Sequence, residues 1–342
     1  MTVRDLRDSD VPLLDHLAAL YPYKPYRHYR VWSRARQDAM MRAEVDRILG
    51  ASGHFALVAG DSDAAIVALG RPLEWDTRFF DIPMARLDWA LRGTASQAAS
   101  LPALVQASLE RLRSTGYRHV TAKADVADMD YVAALEACGF RLMDALVTYF
   151  THPHRDAPTL VREVGRVRPL EPDDVDELLA ITEAAYAGFR GRFHLDPHLP
   201  ADRAREFYLE WARQCCAGRM ADRVVVADNG HGGIHGWAST RRVEPASTVG
   251  GVKLWAGSLG ACRHDKSGAY AGLIRSLAAA NHAAGEVTET QTQNARQRAP
   301  CERGMTAVVA GTARALLEEL CGVGCGWDIS PRLAPFRRQS EP

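Results

Sequence analysis

A chain of 342 residues that is 47% hydrophobic and 25% charged has the composition of an ordinary globular protein, and its length suits two domains with a core apiece. Its 42 basic side chains are balanced by 42 acidic ones, so no net field draws nucleic acid or an anionic membrane to it. No apolar run approaches the roughly 18 residues that a membrane span needs, and the start, Met-Thr-Val-Arg-Asp-Leu-Arg-Asp, has no apolar signal core. Of the seven cysteines, the pair Cys321 and Cys325 has no His or Cys cluster beside it, so no metal site is expected and reduced thiols in the cytoplasm are the plain reading.

In chain order, residues 4–48 read as helical, with Leu13, Leu14, Leu17 and Leu20 on one face. The aromatic and basic patch 21–29 interrupts them. Such patches stack on bases in nucleic-acid binders, but here the balanced charge favours a loop packed onto the domain. Strand-like runs follow at 55–59, 64–69 and 84–91, with the segment Leu73-Glu-Trp-Asp-Thr-Arg-Phe-Phe80 between the last two. A helix is predicted from about 101 to 114, a strand at 120–124, and a short helix whose Gly139 serves as C-cap. Alternation over 142–150 predicts a strand that closes a first domain, 1–153. A polar, proline-bearing stretch then leads through a linker at 154–164.

The same order begins again after the linker. Helices are predicted at about 172–187 and 201–217, and strands at 224–227, 234–240 and 252–261. A helix from Gly268, a strand at 286–291 and a short helix ending at Met305 complete the passage. Leu57 matches Val225, Val120 matches Val287 and Gly139 matches Gly304, offsets of 168, 167 and 165. Similarity held at nearly one offset marks a duplicated domain. The second copy spans 165–310, and 311–342 forms an atypical tail in which 312–320 reads as a helix.

The organising stretch of the second copy is 260–274, Gly-Ala-Cys-Arg-His-Asp-Lys-Ser-Gly-Ala-Tyr-Ala-Gly-Leu-Ile. An apolar strand runs into a small-residue turn, and an amphipathic helix with Leu273, Ile274 and Leu277 on one face follows. Such a junction aims free backbone N–H groups and the positive end of a helix outward, which suits a pyrophosphate.

Helix, strand meander, strand, turn, helix, strand and a helix ending Glu-x-x-Gly-Phe together resemble the acyl-CoA N-acyltransferase (GNAT) superfamily, over both halves and most firmly over 165–305. The resemblance implies an α/β fold of two tandem GNAT-like domains, each a twisted mixed sheet with helices on both faces. It implies acetyl-CoA, or another acyl-CoA, bound by Leu259, Gly260, Ala261, Lys266, Ser267, Gly268, Ala269, Tyr270, Ala271 and Asn294. Asp265 and Tyr270 stand where the family's turn has a basic residue and a glycine, and Lys266 and Arg263 are placed to offset Asp265. A backbone amide near Leu259 would polarise the thioester carbonyl. Cys301 stands where many relatives carry the tyrosine that protonates the departing thiolate. A small-molecule amine is the implied partner, and a homodimer is left open.

Two segments narrow the resemblance. Tyr186-Ala-Gly-Phe-Arg-Gly-Arg-Phe-His-Leu-Asp-Pro-His-Leu-Pro with Phe207-Tyr208-x-x-Trp211, and Trp75-Asp-Thr-Arg-Phe-Phe80-Asp81, are similar to segments of the acetyltransferases that act on dTDP-4-amino-4,6-dideoxyhexoses. An amine acceptor needs a base, for which His194, Asp196, His198 and Glu289 are candidates. Tyr186, Phe189 and Tyr208 are placed to flank a sugar or base, and Arg190 and Arg192 to hold a diphosphate; core packing is the plainer role for the aromatic residues. The first copy lacks the Gly-x-Gly/Ala turn and carries Asp128 and Leu135 at the places of Asn294 and Cys301, so it reads as non-catalytic. Two other functions stay open: a repurposed enzyme acting on an acyl thioester, for example by decarboxylation, and a non-catalytic module that binds CoA or a nucleotide.

Overall fold

The computed structural model describes residues 2–27, 29, 32–60, 64–93, 95–150, 165–266, 268–292 and 306–316. The expected linker, Ser267, Asn294 and Cys301 lie outside the described residues. The N-terminal half runs β1 (Val3–Asp5), α1 (Val11–Leu20), α2 (Arg34–Leu49), β2 (Phe55–Ala59), β3 (Ile66–Pro72), α3 (Glu74–Phe80), β4 (Met84–Leu91), α4 (Leu101–Ser114), β5 (His119–Ala124), α5 (Met129–Ala137) and β6 (Arg141–Phe150). The C-terminal half runs β7 (Arg166–Pro169), α6 (Val175–Tyr186), α7 (Arg192–Leu195), α8 (Ala201–Cys216), β8 (Arg223–Asp228), β9 (Ile234–Arg242), α9 (Glu244–Thr248), β10 (Leu254–Cys262), α10 (Gly268–Ala283), β11 (Val287–Thr292) and β12 (Thr306–Leu316).

Alternation along the strands builds a layer of helices on each face of the sheet. Phe55, Leu57 and Ala59 of β2 and Ile66 and Ala68 of β3 point into a core shared with Leu104, Val105 and Leu112 of α4 and Leu135 of α5. The intervening Ala56, Val58, Val67 and Leu69 enter a second core with Leu14 and Leu17 of α1 and Met41, Val45 and Ile48 of α2. The spacing of Met41, Val45 and Ile48 is one helical stripe, and Ser33 caps that helix by accepting the Arg36 N–H at 3.3 Å.

The duplication extends to single side chains. Arg4 of β1 grips Asp10 through two bonds of 2.6 and 2.8 Å, and Asp10 also accepts the Arg7 N–H at 2.7 Å. In the second half Arg168 grips Asp174 at 2.6 and 2.9 Å, and Asp174 accepts the Glu171 N–H at 2.8 Å. Each device turns a short strand into a helix. β1 stands where the first copy was expected to begin as helix, and β7 precedes the helix expected at about 172; at three and four residues both strands are too short to show a period.

The sheet is continuous, with strands in the order β1-β2-β3-β4-β5-β12-β6-β11-β10-β9-β8-β7. Two mixed five-stranded blocks, β1–β5 and β7–β11, each contain one parallel pair, β4 with β5 and β10 with β11. Between the blocks the halves exchange strands. β6, expected to close its own domain, pairs with β11 of the other half. The expected C-terminal helix at 312–320 is instead strand through Leu316: β12 pairs antiparallel with β5 on one side and β6 on the other. Each exchanged strand gives the parallel pair of the opposite half a hydrogen-bonded neighbour, which an open edge would lack.

An aromatic cluster fastens the halves on a second front. Trp75 and Phe80 of α3 meet Phe207 of α8 at centroid distances of 4.8 and 5.7 Å, and Phe80 meets Phe193 of α7 at 5.4 Å. The two segments that narrow the family resemblance therefore pack against each other. Burying a phenylalanine of this kind is worth about 1.5–3 kcal/mol. The 21–29 patch does pack as a loop, and it crosses to the other half: Tyr29 and Trp32 are buried with Leu254 and Val287.

Candidate functional site

The parallel pair β10–β11 forks. Its register runs only from Leu254 opposite Val287 to Ala256 opposite Glu289. Beyond Ala256, β10 continues to Cys262 along β9, while β11 is taken up by β6 from Glu289 onward. A bulge sets the bend, because Ser258 and Leu259 together face Ser239 alone. The Ser239 hydroxyl fills it, accepting the Leu259 N–H at 3.0 Å and donating to the Leu259 carbonyl at 2.8 Å. The Leu259 amide, expected to polarise a substrate carbonyl, is thus directed to Ser239.

The strand then passes through a short 3-10 turn, His264–Lys266, into α10. Leu273, Ile274 and Leu277 seat the helix on Val225, Ala227 and Ala238. Gly268 and Ala269 open α10, where backbone N–H groups have no partner within the helix; Lys266 and Ala271 are placed by their backbone, just before and within that first turn. The next amide, that of Tyr270, bonds the Cys262 thiol, which burial pushes up in pKa. The Tyr270 ring lies on Gly260: a Cβ there would stand 2.6 Å from the ring and 2.8 Å from the Trp237 carbonyl. Ala261 and Ala269 are buried beside this contact. Asp265 is exposed, and Arg263, expected to offset it, reaches the other way to Glu177 at 2.7 Å.

On the far side of the fork Tyr186 donates to the Gly260 carbonyl at 3.0 Å. Its ring stacks on Tyr208 at 4.4 Å, Phe189 stands edge-on to both at 5.2 Å, and His194 lies parallel to Tyr208 at 5.8 Å. Tyr186, Phe189, His194 and Tyr208 therefore gather beside the fork, as core that holds β10 in place. Burial pushes the Tyr186 hydroxyl up in pKa. His194 is pushed down, first by burial and then by Arg190 and Arg205, so it is neutral near pH 7. Arg190 itself is exposed.

Asp196 does not join His194. Its carboxylate is buried against His119 of β5, at 2.8 Å from Nε2, and it also accepts the His198 N–H at 3.1 Å. This pair joins the halves. Of the titratable candidates, Glu289 is the one placed at the fork: it stands on the last paired rung, is largely buried, and accepts the Tyr29 hydroxyl at 3.2 Å. Sequence reasoning missed Tyr29 and His119, both supplied by the N-terminal half. Only the interruption of the strand pattern 119–124 by polar His119, Thr121 and Lys123 hints at a polar face.

The N-terminal half has a matching fork, since β4 and β5 pair only from Met84 opposite His119 to Leu87 opposite Ala122. Its turn is filled from within. The Gly93 N–H is bonded by the Gln97 side chain at 2.6 Å. Asp128 caps α5 at the Tyr131 N–H and is clamped by Arg92 and by the Tyr21 hydroxyl, all buried.

No protein-family model matches the chain. Over 63 residues it is 41% identical to the spore coat polysaccharide biosynthesis protein SpsD of Bacillus subtilis (strain 168), a match spanning 18% of this chain and about a fifth of that relative, 21%. The structure of a GCN5-related N-acetyltransferase from Sphaerobacter thermophilus superposes over 92% of this chain and 95% of its own, with a TM-score of 0.58 and 14% identity. A GCN5-related glucosamine N-acetyltransferase region of a fungal multi-domain GH3 beta-N-acetylglucosaminidase gives a TM-score of 0.57 at 14% identity, over 92% of this chain and 38% of that one. Such likeness speaks for the fold, and with the duplicated helix starts, the two forks and the paired five-stranded blocks it identifies the architecture as a tandem GNAT fold.

Proposed function

We infer that the chain is an acyl-CoA-dependent N-acyltransferase whose cofactor site is the fork of the C-terminal half. The observation that carries this reading is the fork itself: among the described residues β10 has no strand on its β11 side beyond Ala256, and the N-terminus of α10 stands at its mouth. An extended pantetheine arm fits along such an edge as an added strand, and the pyrophosphate fits the Gly268–Ala269 amides. Acyl-CoA, when bound, supplies a thioester carbonyl open to an amine.

The chain's own residues then divide the work. Tyr186 and Ser239 fix β10 at the bulge. Glu289 accepts the proton that the amine must lose, with Tyr29 orienting its carboxylate. Cys301 is the proposed donor to the departing thiolate. The N-terminal half, 1–153, is non-catalytic in this reading, because its turn amide is bonded by Gln97 and its helix cap by Arg92. It shapes the acceptor cleft instead. The acceptor is a small-molecule amine, and the partial likeness to a polysaccharide biosynthesis protein favours an amino-sugar nucleotide.

The test is calorimetric titration with acetyl-CoA, coenzyme A and ATP, followed by thiol release with a panel of amines that includes a 4-amino-sugar nucleotide. Micromolar binding of acetyl-CoA and thiol release with an amine are expected. Absence of acetyl-CoA binding would sink the reading.

A further inference from the structure

Backbone direction along β10 decides which of its groups face the fork. The Arg263 N–H bonds the His235 carbonyl beside it at 2.9 Å, so the peptide groups of Arg263 point toward β9. Direction alternates residue by residue along a strand. Those of Cys262 and Gly260 therefore point the other way, to the side on which, among the described residues, β11 has already left β10. The Leu259 N–H agrees with this alternation, since it points to Ser239 of β9. Beyond the bulge, Gly260 is thus the first residue whose N–H and carbonyl both lie on the open edge, and an added strand would pair with both.

One of the two is already taken. The Tyr186 hydroxyl donates to the Gly260 carbonyl at 3.0 Å, about the separation at which the nitrogen of a pairing strand would stand. Its helix, α6, lies on the face opposite α10, with Leu178 and Ile181 in one core with Trp237 and Leu259. From the α10 face the Tyr270 ring lies on the same Gly260. Tyr186 is held at the edge by its stack on Tyr208 at 4.4 Å and by Phe189 edge-on at 5.2 Å. It is also the last residue of α6, and exposed Ala187 and Gly188 follow it. A Cβ at Gly188 would meet nothing within 4 Å, so the ring has room to leave the edge while α6 stays whole. A strand edge whose carbonyl lacks a donor is both unfavourable and prone to pairing with other chains. Tyr186 relieves this by imitating the donor of a neighbouring strand.

We propose that Tyr186 is a gate on the fork: its hydroxyl occupies the Gly260 carbonyl until the pantetheine arm arrives, and an amide of the arm then takes over that acceptor. The identity of the arm rests on the acyltransferase reading; the capped edge does not. The gate opposes any ligand that adds to β10 as a strand, and leaves alone a ligand held only by the first turn of α10. Opening it rewards a donor whose arm carries an amide at this point. A nucleotide without such an arm gains nothing there, so the gate selects for the arm-bearing cofactor.

The test compares the whole wild-type chain with Tyr186→Phe by calorimetric titration with coenzyme A and separately with ADP. Phenylalanine keeps the ring stack and removes only the competing donor. Coenzyme A is expected to bind Tyr186→Phe about two- to tenfold more tightly than wild type, the worth of one hydrogen bond, while ADP binds no more tightly to the variant. A residue that merely shapes the site would loosen binding when truncated or leave it unchanged. Melting gives a second reading. Without ligand Tyr186→Phe should melt below wild type, and with saturating coenzyme A the two melting temperatures should converge, because the hydroxyl supports only the edge that no arm has joined. Tyr117→Phe, which removes a hydroxyl from a ring packed on the N-terminal core, should leave both affinities unchanged. Weaker or equal binding of coenzyme A by Tyr186→Phe, or a tightening that extends to ADP, overturns the gate and leaves the acyltransferase reading standing. Coenzyme A that binds neither chain overturns that reading and the gate together.

Discussion

His119 and Asp196 meet at 2.8 Å with both side chains buried, one on the central β5 of the N-terminal half and the other on the connection between α7 and α8 of the C-terminal half. Asp196 also fixes its own loop by accepting the His198 N–H. Removing the carboxylate leaves a buried imidazole without its partner. A lost hydrogen bond to a charged group costs about 1.5–3 kcal/mol, and Asp196→Ala is expected to destabilise the chain by about that amount in urea denaturation. Because the pair lies away from α10, acetyl-CoA affinity should stay within twofold of wild type.

Gly260→Ala tests the closest packing at the fork. The added Cβ would meet both the Tyr270 ring and the Trp237 carbonyl inside 3 Å. Overpacking of this kind costs about 1–3 kcal/mol, and the variant should lose acetyl-CoA affinity as β10 shifts. Tyr270→Ala in the same chain should restore only part of it, since the carbonyl is backbone and stays. Full rescue by the double variant would show that the ring alone makes the site tight.

Glu289→Gln keeps the shape of the side chain and removes the base. Thiol release should fall by a factor of about 100 or more, with the acetyl-CoA dissociation constant unchanged. A variant with normal turnover would remove Glu289 from the chemistry and leave the cofactor site standing.

Acid titration follows from the two helix-start clamps. The Arg4 guanidinium, first among the causes, holds Asp10 down to about 2, below its ordinary value of 3.8. A depressed carboxyl contributes stability that is complete above its unfolded pKa and is lost as pH falls through the folded one. Asp174 is shifted in the same direction by Arg168. Wild type should therefore lose stability between about pH 4 and pH 2, and an Asp10→Asn, Asp174→Asn double variant should be less stable at pH 7 and show a flatter profile across that window. Parallel profiles would show that neither clamp survives as an ion pair in solution.

Ending the chain at residue 305 removes β12. The edges of β5 and β6 then lose their shared neighbour, and unpaired edges template aggregation. The shortened chain should lack a cooperative thermal transition and sediment as aggregates. A monomer with the wild-type melting temperature would mean that the strand exchange contributes little.

What the sequence made legible is what depends on near neighbours. The strand, turn and helix at 254–283 follow from local period and from Gly268. The repeated half follows from offsets that survive in Val120, Val287 and their like. Pairing partners depend on distant edges, so neither the crossing of β6 nor the entry of β12 was visible. The run Thr-Ala-Arg-Ala-Leu-Leu-Glu-Glu-Leu at 312–320 is rich in good helix formers, and where the structure describes it, through Leu316, tertiary pairing overrides that preference. Asp196, like His194, stood among the candidate bases by its residue type and its place in the 186–200 segment. Where the carboxylate points is set by His119, 77 positions earlier, which no local pattern records.

The exchanged strands also bear on how the protein is made. A ribosome releases the N-terminal half first, and domains ordinarily fold as they emerge. Here β5 has β4 beside it early but acquires its second neighbour only when residues 306–316 have left the exit tunnel. The first half therefore waits for its last strand until β12 has emerged. Completion of the second half and closure of the first become one event, so a nascent chain stalled anywhere before β12 holds neither half in its final form.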